Sequence, residues 1–206
     1  MRHPVRKSVL FLLSAAIVFC FVGCGNAGLT EFNGIPFGKT HKEVMPQIEK
    51  ILSEQGYEGK ARRYSDHFTG LTRYSEQFDH VKLDDYTAEY LTLQFIGRDD
   101  NEGTADDAEF YEAYYTFVFP AQAQASDAWE YFRDKYVKIY GEPSYENSDS
   151  PVMQKVRWNN RDNTAAFFIQ LNEVVKTDGT KRGDYCVTLT LQDSKIYNEY
   201  YKDILI

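Results

Sequence analysis

Beyond residue 31 the apolar positions of this chain follow first a helical and then a two-residue period, and the same order is then repeated. Val44, Met45, Ile48, Ile51 and Leu52 recur at the spacing of one helix face, and Gly56 stops the run. Thr40 followed three residues later by Glu43 is a capping box, so a helix of about 15 residues is expected behind it. Pro46 removes one backbone hydrogen bond, which predicts an irregular first turn or a bend. From Glu76 the period falls to two. Phe78, His80 and Lys82 alternate with Gln77, Asp79, Val81 and Leu83, and Asp84-Asp85 marks a turn. Tyr86 to Ile96 sets Leu91, Leu93 and Phe95 against Tyr90, Thr92 and Gln94; Glu109 to Phe119 sets Tyr111, Tyr115, Phe117 and Phe119 against Glu112, Tyr114 and Thr116. Such alternation marks antiparallel strands with one buried face, here a three-stranded meander closed by Pro120.

The second half follows the same plan. Ser126 is expected to cap a helix with Asp127 and Glu130 in its first turn and Lys135 and Lys138 toward its end, where the dipole favours each sign. Trp129, Phe132, Tyr136, Ile139 and Tyr140 share one face, and Gly141 with Pro143 ends the helix. Strands follow at Val152 to Trp158, at Ala165 to Leu171 and, after a turn near Asp178-Gly179, at Tyr185 to Leu191. A last helix, Ser194 to Ile204, carries Ile196, Tyr197, Tyr200, Tyr201 and Ile204 on one side and is expected to clamp the sheet. The fold class predicted is α+β: an antiparallel sheet with helices on one face, in a tandem αβββ-αβββ arrangement plus a C-terminal helix. Residues 32–206 form a single domain divisible into lobes 32–120 and 121–206.

The first 23 residues read differently. Arg2, Arg6 and Lys7 precede an apolar run from Val9 to Val22 broken only by Ser14, the layout of an export signal. As a helix the run measures roughly 21 Å, short of the roughly 30 Å hydrocarbon core of a bilayer. It ends in Phe21-Val22-Gly23-Cys24, which resembles the lipobox of bacterial lipoprotein signals, with Phe21 where that family prefers Leu. The resemblance implies that residues 1–23 are removed, that Cys24 is the lipid attachment site, and that 24–31 is a lipidated tether. A conventional secretory signal cleaved after Gly25 or Ala27 is the alternative. Without the leader, 20 basic residues face 31 acidic ones, a net charge of −11. That excludes nucleic acid, whose phosphates call for a basic face. It also excludes adsorption to anionic lipid by charge, so the membrane is reached through the acyl chains on Cys24. Cys20 leaves with the signal and Cys24 takes lipid, so Cys186 has no disulfide partner in the chain. The expected location is the cell envelope, on the non-cytoplasmic side.

Gly38-Lys39-Thr40, two residues, then Glu43-Val44 on a helix shortly after a lipidated N-terminus is similar to the opening of the small BamE-type (SmpA/OmlA) envelope lipoproteins. That resemblance implies helices packed on one face of an antiparallel sheet, a unit that the related β-lactamase-inhibitor-like fold repeats. It also implies a role in binding protein, without catalytic residues. This chain departs from the family in being about twice as long and in lacking the Gly-x-Pro ending of the first helix.

Motifs for catalysis are absent: there is no Gly-x-Ser-x-Gly, no His-Glu-x-x-His, no phosphate-cradling glycine loop and no paired cysteine ligands. His41, His67 and His80 are expected to be exposed and structural, and nothing near Cys186 lowers its pKa. No cofactor and no metal are implied. The acidic loop 99–107 lacks the spacing of a calcium loop, because Gly103 and the glutamates fall at the wrong positions. Lys60, Arg62, Arg63 and Arg73 make 56–75 the one basic stretch. It reads as a solvated edge strand or loop whose arginines pair with nearby acids, the alternative being a patch for an anionic partner.

Aromatic residues make up 16% of the chain, and most fall on faces assigned to the core. Tyr90 and Tyr114 do not. They alternate outward with Thr92, Gln94, Thr116, Gln170, Thr188 and Thr190, so these eight residues form the candidate interaction face if helices cover only one side of the sheet. The leading expectation is a non-catalytic envelope lipoprotein that binds another protein. Binding of a glycan, cell-wall fragment or other small ligand is the alternative, and a hydrolase would require carboxylates, or His with Cys186, converging in one pocket.

Overall fold

The computed structural model describes residues 27–68, 70–98, 104–175 and 181–202. The expected signal, Cys24, residues 99–103 of the acidic loop, the Asp178-Gly179 turn and Ile204 lie outside the described residues. In chain order the elements are β1 (Glu31–Phe32), β2 (Ile35–Pro36), α1 (His41–Glu54), β3 (Arg62–Phe68), β4 (Leu71–Asp79), β5 (Lys82–Leu83), β6 (Tyr86–Thr87), β7 (Tyr90–Arg98) and β8 (Glu109–Phe119). They continue as α2 (Gln122–Tyr140), β9 (Tyr145–Ser150), β10 (Met153–Asn159), β11 (Ala165–Val175), β12 (Lys181–Asp193) and α3 (Ser194–Tyr201). Eight strands form one antiparallel sheet in the order β3-β4-β7-β8-β12-β11-β10-β9. Each half is therefore a helix followed by a four-stranded meander, and the two meanders join where their last strands, β8 and β12, pair. The fold is α+β with an antiparallel sheet.

Each half holds one long strand more than the alternation predicts, and both extra strands are the outer edges. All seven residues of β3 are exposed, as are five of the six in β9. A strand with no buried face carries no two-residue period. β4 begins at Leu71, ahead of the expected start at Glu76, and ends at Asp79, because His80 takes a left-handed backbone (φ 55°). Val81 and Leu83 then reach the core from the small β5–β6 hairpin.

Thr40 caps α1 as its box predicts, its backbone N–H and hydroxyl both donating to the Glu43 carboxylate at 2.9 Å. The helix runs unbroken through Pro46. α2 starts at Gln122, a turn before Ser126. Pro120 ends β8 and Ala121 is the extended N-cap residue, and the following Gln-Ala-Gln-Ala is good helix former, so no cap at Ser126 is needed. Asp127 and Glu130 accordingly lie beyond the first turn. Gly141 closes the helix with φ 80°.

Both α1 and α2 lie on one face of the sheet. There Phe78, Leu91, Leu93, Phe95, Phe110, Phe117, Phe132, Val156, Ile169, Leu171 and Val187 are buried almost completely in one continuous core. Full burial of such a side chain stabilises by about 1.5–3 kcal/mol each. α3, capped by the Asp193 carboxylate, is on the other face, where Ile196, Tyr197, Tyr200 and Tyr201 cover Leu71, Ile96 and Tyr111.

Candidate functional site: the outward face of the sheet

Residues directly opposite in an antiparallel ladder point to the same side of the sheet. β7 and β8 pair Tyr90 with Thr116, Thr92 with Tyr114 and Gln94 with Glu112. β8 and β12 pair Thr116 with Thr188 and Tyr114 with Thr190, and β11 adds Gln170 opposite Thr188. Tyr90, Thr92, Gln94, Tyr114, Thr116, Gln170, Thr188 and Thr190 therefore form one patch over four adjoining strands, on the face away from α1 and α2. Thr92 and Thr190 are buried and the other six are half-buried.

A bay of about 500 Å³ opens within this patch, lined by Gln94, Tyr114, Thr188 and Thr190 together with Arg73, Tyr111, Glu112, Phe168, Gln192 and Tyr197. The Tyr111 hydroxyl donates to Gln94 Oε1 (2.5 Å), Gln94 Nε2 to Tyr114 Oη (3.4 Å) and Gln192 Nε2 to Glu112 Oε2 (2.7 Å). Burial pushes Glu112 up to about 7, against the charge of Arg73 and the Gln192 hydrogen bond, both of which favour its ionised form. The bay thus offers hydroxyls, amides and one carboxyl that exchanges its proton near neutrality. It has no second carboxyl in its lining, so it lacks the pair that glycoside hydrolysis requires.

Tyr111 corrects the sequence reading, which groups it with Tyr115 and Phe117. The β7–β8 ladder shifts after Gln94: Gln94 faces Glu112, Phe95 faces Phe110, and Tyr111 is the extra residue of a bulge. The shift turns Tyr111 to the outward face, where it packs against Tyr197 of α3 at 5.9 Å between ring centroids. Arg73 was also hidden from periodicity, because its place on this face follows only from the β4–β7 pairing, which sets it opposite Ile96. Glu112 alternates outward with Tyr114, but no sequence signal marks its burial.

Seven large apolar side chains stand out as exposed among the described residues: Tyr64, Phe68, Val118, Tyr131, Ile139, Tyr145 and Met153. Tyr131 and Ile139 are on α2. The other five share the outward face: Tyr64 through Ser75 and Gln94, Phe68 through Leu71, Val118 and Met153 through Cys186 and Asn172, and Tyr145 through Arg157 and Phe168.

The histidines separate. His41, expected to be exposed, is only 5% exposed, because as the first residue of α1 it turns inward, its ring 4.8 Å from that of Phe95. Its Nε2 lies 2.8 Å from the buried carboxylate of Glu76, to which Arg63 also donates, and 2.9 Å from Arg63 Nη2. Its Nδ1 is 3.8 Å from the Asp106 carboxylate. Burial alone raises the pKa of Glu76, yet the bonds from His41 and Arg63 hold it below the ordinary carboxylate range. The cluster sits at one end of a groove of about 830 Å³ between α1 and strands β3 and β4. The cluster joins α1 to the sheet edge: His41 and Arg63 both reach the Glu76 carboxylate, and His41 Nδ1 is a buried nitrogen without a hydrogen-bond partner among the described residues. His67 bonds the Thr72 hydroxyl on edge strand β3 and His80 is an exposed turn residue. Burial pushes the Cys186 thiol up, against a contact with the Thr188 hydroxyl at 3.9 Å, the opposite of an activated nucleophile. Of the acidic loop, Asp107 is paired with Lys42 at 2.8 Å, and no group of three His, Cys, Asp or Glu able to hold a metal ion exists among the described residues.

Comparison of the chain with protein-family models, with curated proteins and with solved structures found no match.

Proposed function

We propose that this chain is a non-catalytic cell-envelope lipoprotein, held on the non-cytoplasmic side of a membrane through lipidated Cys24, that acts as a protein-binding or assembly module. The observation that carries the docking surface is that exposed Tyr64, Phe68, Val118, Tyr145 and Met153 all stand on the face of the sheet away from α1 and α2, on either side of the hydroxyl- and amide-rich patch. Aromatic side chains and methionine set among polar neighbours are the composition of protein interfaces. The anchor rests on the basic start, the apolar run and the Gly23-Cys24 junction of the leader.

Photo-crosslinking amino acids at Val118, Tyr145 and Met153, compared with Tyr131 and Ile139 on α2, test the surface in the native envelope. The outward positions are expected to crosslink to a partner protein and the helix positions are not; equal yields from both faces contradict the reading. Cys24→Ser is expected to move the protein from the membrane to the soluble fraction. The bay around Glu112 and Gln94 favours a second reading, capture of a glycan fragment or other small polar ligand. A rise in melting temperature with cell-wall fragments, abolished by Gln94→Ala, would establish it; a ligand at a hundred times its Kd adds about 2.7 kcal/mol.

A further inference from the structure

We propose that the second half of the outward face docks an acidic segment of the protein partner, with Lys155 and Arg157 of β10 as its paired carboxylate-binding residues. This rests on the docking reading above and adds the chemistry of the partner.

The three arginines of β3 and β4 are neutralised within the fold. Arg62 is paired with Asp79 at 2.5 Å, Arg73 with Asp66 at 2.5 Å, and Arg63 with Glu76. Lys155 and Arg157 have no carboxylate partner among the described residues. The Lys155 ammonium stands 4.7 Å over the ring of Phe168, and Arg157 gives one hydrogen bond, from Nε to Asn159 Oδ1 at 2.6 Å. Both are half-buried, on the same face of one strand. In a chain carrying 31 acidic residues, two neighbouring cations held partly out of water without a counter-ion are a preformed receptor for negative charge.

The spacing selects the ligand. Same-face residues of a strand are about 6.6–6.8 Å apart, so this pair matches carboxylates two residues apart on an extended peptide lying along β10. Asn147 and Gln170 flank Lys155, and Tyr145 and Phe168 flank Arg157, in the two ladders. Amide groups and rings thus surround the cations, and Met153, 64% exposed, continues the surface for the apolar side chains between the acids.

The test titrates the full-length chain in detergent with a fluorescein-labelled decapeptide of alternating Glu and Val, its Gln-for-Glu counterpart, and heparin fragments, reading anisotropy. The Glu peptide is expected to bind, to weaken as salt rises, and to lose about tenfold or more in affinity with either Lys155→Ala or Arg157→Ala, as for charge-assisted hydrogen bonds. Arg133→Ala on α2 is expected to leave it unchanged, and the melting transition of each variant reports that it is folded. No binding of the Glu peptide, equal binding of the Gln peptide, indifference to both substitutions, or binding of heparin fragments alone would each overturn the proposal. Crosslinking from Val118 separates the two readings. A partner still captured by Lys155→Glu/Arg157→Glu with unchanged yield removes the acidic-segment proposal and keeps the docking face. Absence of any outward-face crosslink removes the docking face itself.

Discussion

On the outward side of the first four-stranded unit, Leu71, Ile96 and Tyr111 are buried beneath Tyr197, Tyr200 and Tyr201 of α3, and Arg62 and Arg73 are ion-paired. On the same side of the second unit nothing is laid over β9 and β10 among the described residues, Tyr145 and Met153 are half or more exposed, and Lys155 and Arg157 lack carboxylate partners. The inner faces of the two units are alike, each buried by its own helix. A single short helix thus converts half of an outward sheet face into a second core and leaves the other half, with the same architecture, as surface. The bay around Glu112 lies at the border between the two.

The largest effect that sharpens this contrast comes from Tyr111→Ala. It empties the small core under α3 and is expected to cost about 3–5 kcal/mol in urea unfolding, with faster amide exchange in α3. Met153→Ala on the other half should change stability by no more than about 0.5 kcal/mol. Next, Glu76→Ala leaves Arg63 and His41 facing each other without their carboxylate and is expected to cost about 3 kcal/mol. Glu112 supplies a pH test of the border. Its folded pKa of about 7 lies above its ordinary value of 4.5, so the stability it contributes is complete below about pH 4.5 and is lost as pH rises through 7. Relative to Glu112→Gln, the natural chain should lose on the order of 2–3 kcal/mol over that window. Glu43, lowered to about 2, and Glu76, also lowered, work in the opposite sense and lose their contributions as pH falls below the carboxylate range. The smallest effect is that of Lys155→Ala and Arg157→Ala on folding, within about 0.5 kcal/mol, although both are expected to weaken docking. A loss of several kcal/mol there would mean that this half, too, is structural.

Much of the frame is legible in the sequence because it follows from local chemistry. The Thr40–Glu43 box starts α1, and Leu91, Leu93, Phe95, Ile169, Leu171, Val187 and Leu189 alternate into the core as their period requires. All eight residues of the candidate face also point to one side of the sheet, Thr92 and Thr190 being buried there, because alternation assigns sides wherever one side is buried. What cannot be read has a physical reason in each case. β3 and β9 are edge strands with no inner face, so they leave no period. The bulge at Tyr111 adds one residue, and alternation counted through it assigns the wrong side. His41 is buried by a contact with Glu76, 35 positions away, which no local pattern reports. That Lys155 and Arg157 have no carboxylate partner among the described residues is a property of all their neighbours at once.

Thiol labelling shows whether a partner in the cell envelope occupies the outward half-face of the second unit. Met153→Cys and Tyr145→Cys, each in a Cys186→Ala background, would be compared with Tyr131→Cys on α2, in intact envelope and in purified protein. All three are expected to label fully once purified, and in the envelope Met153→Cys and Tyr145→Cys are expected to be protected while Tyr131→Cys stays reactive. Equal labelling of the two faces in the envelope would contradict occupation by a partner.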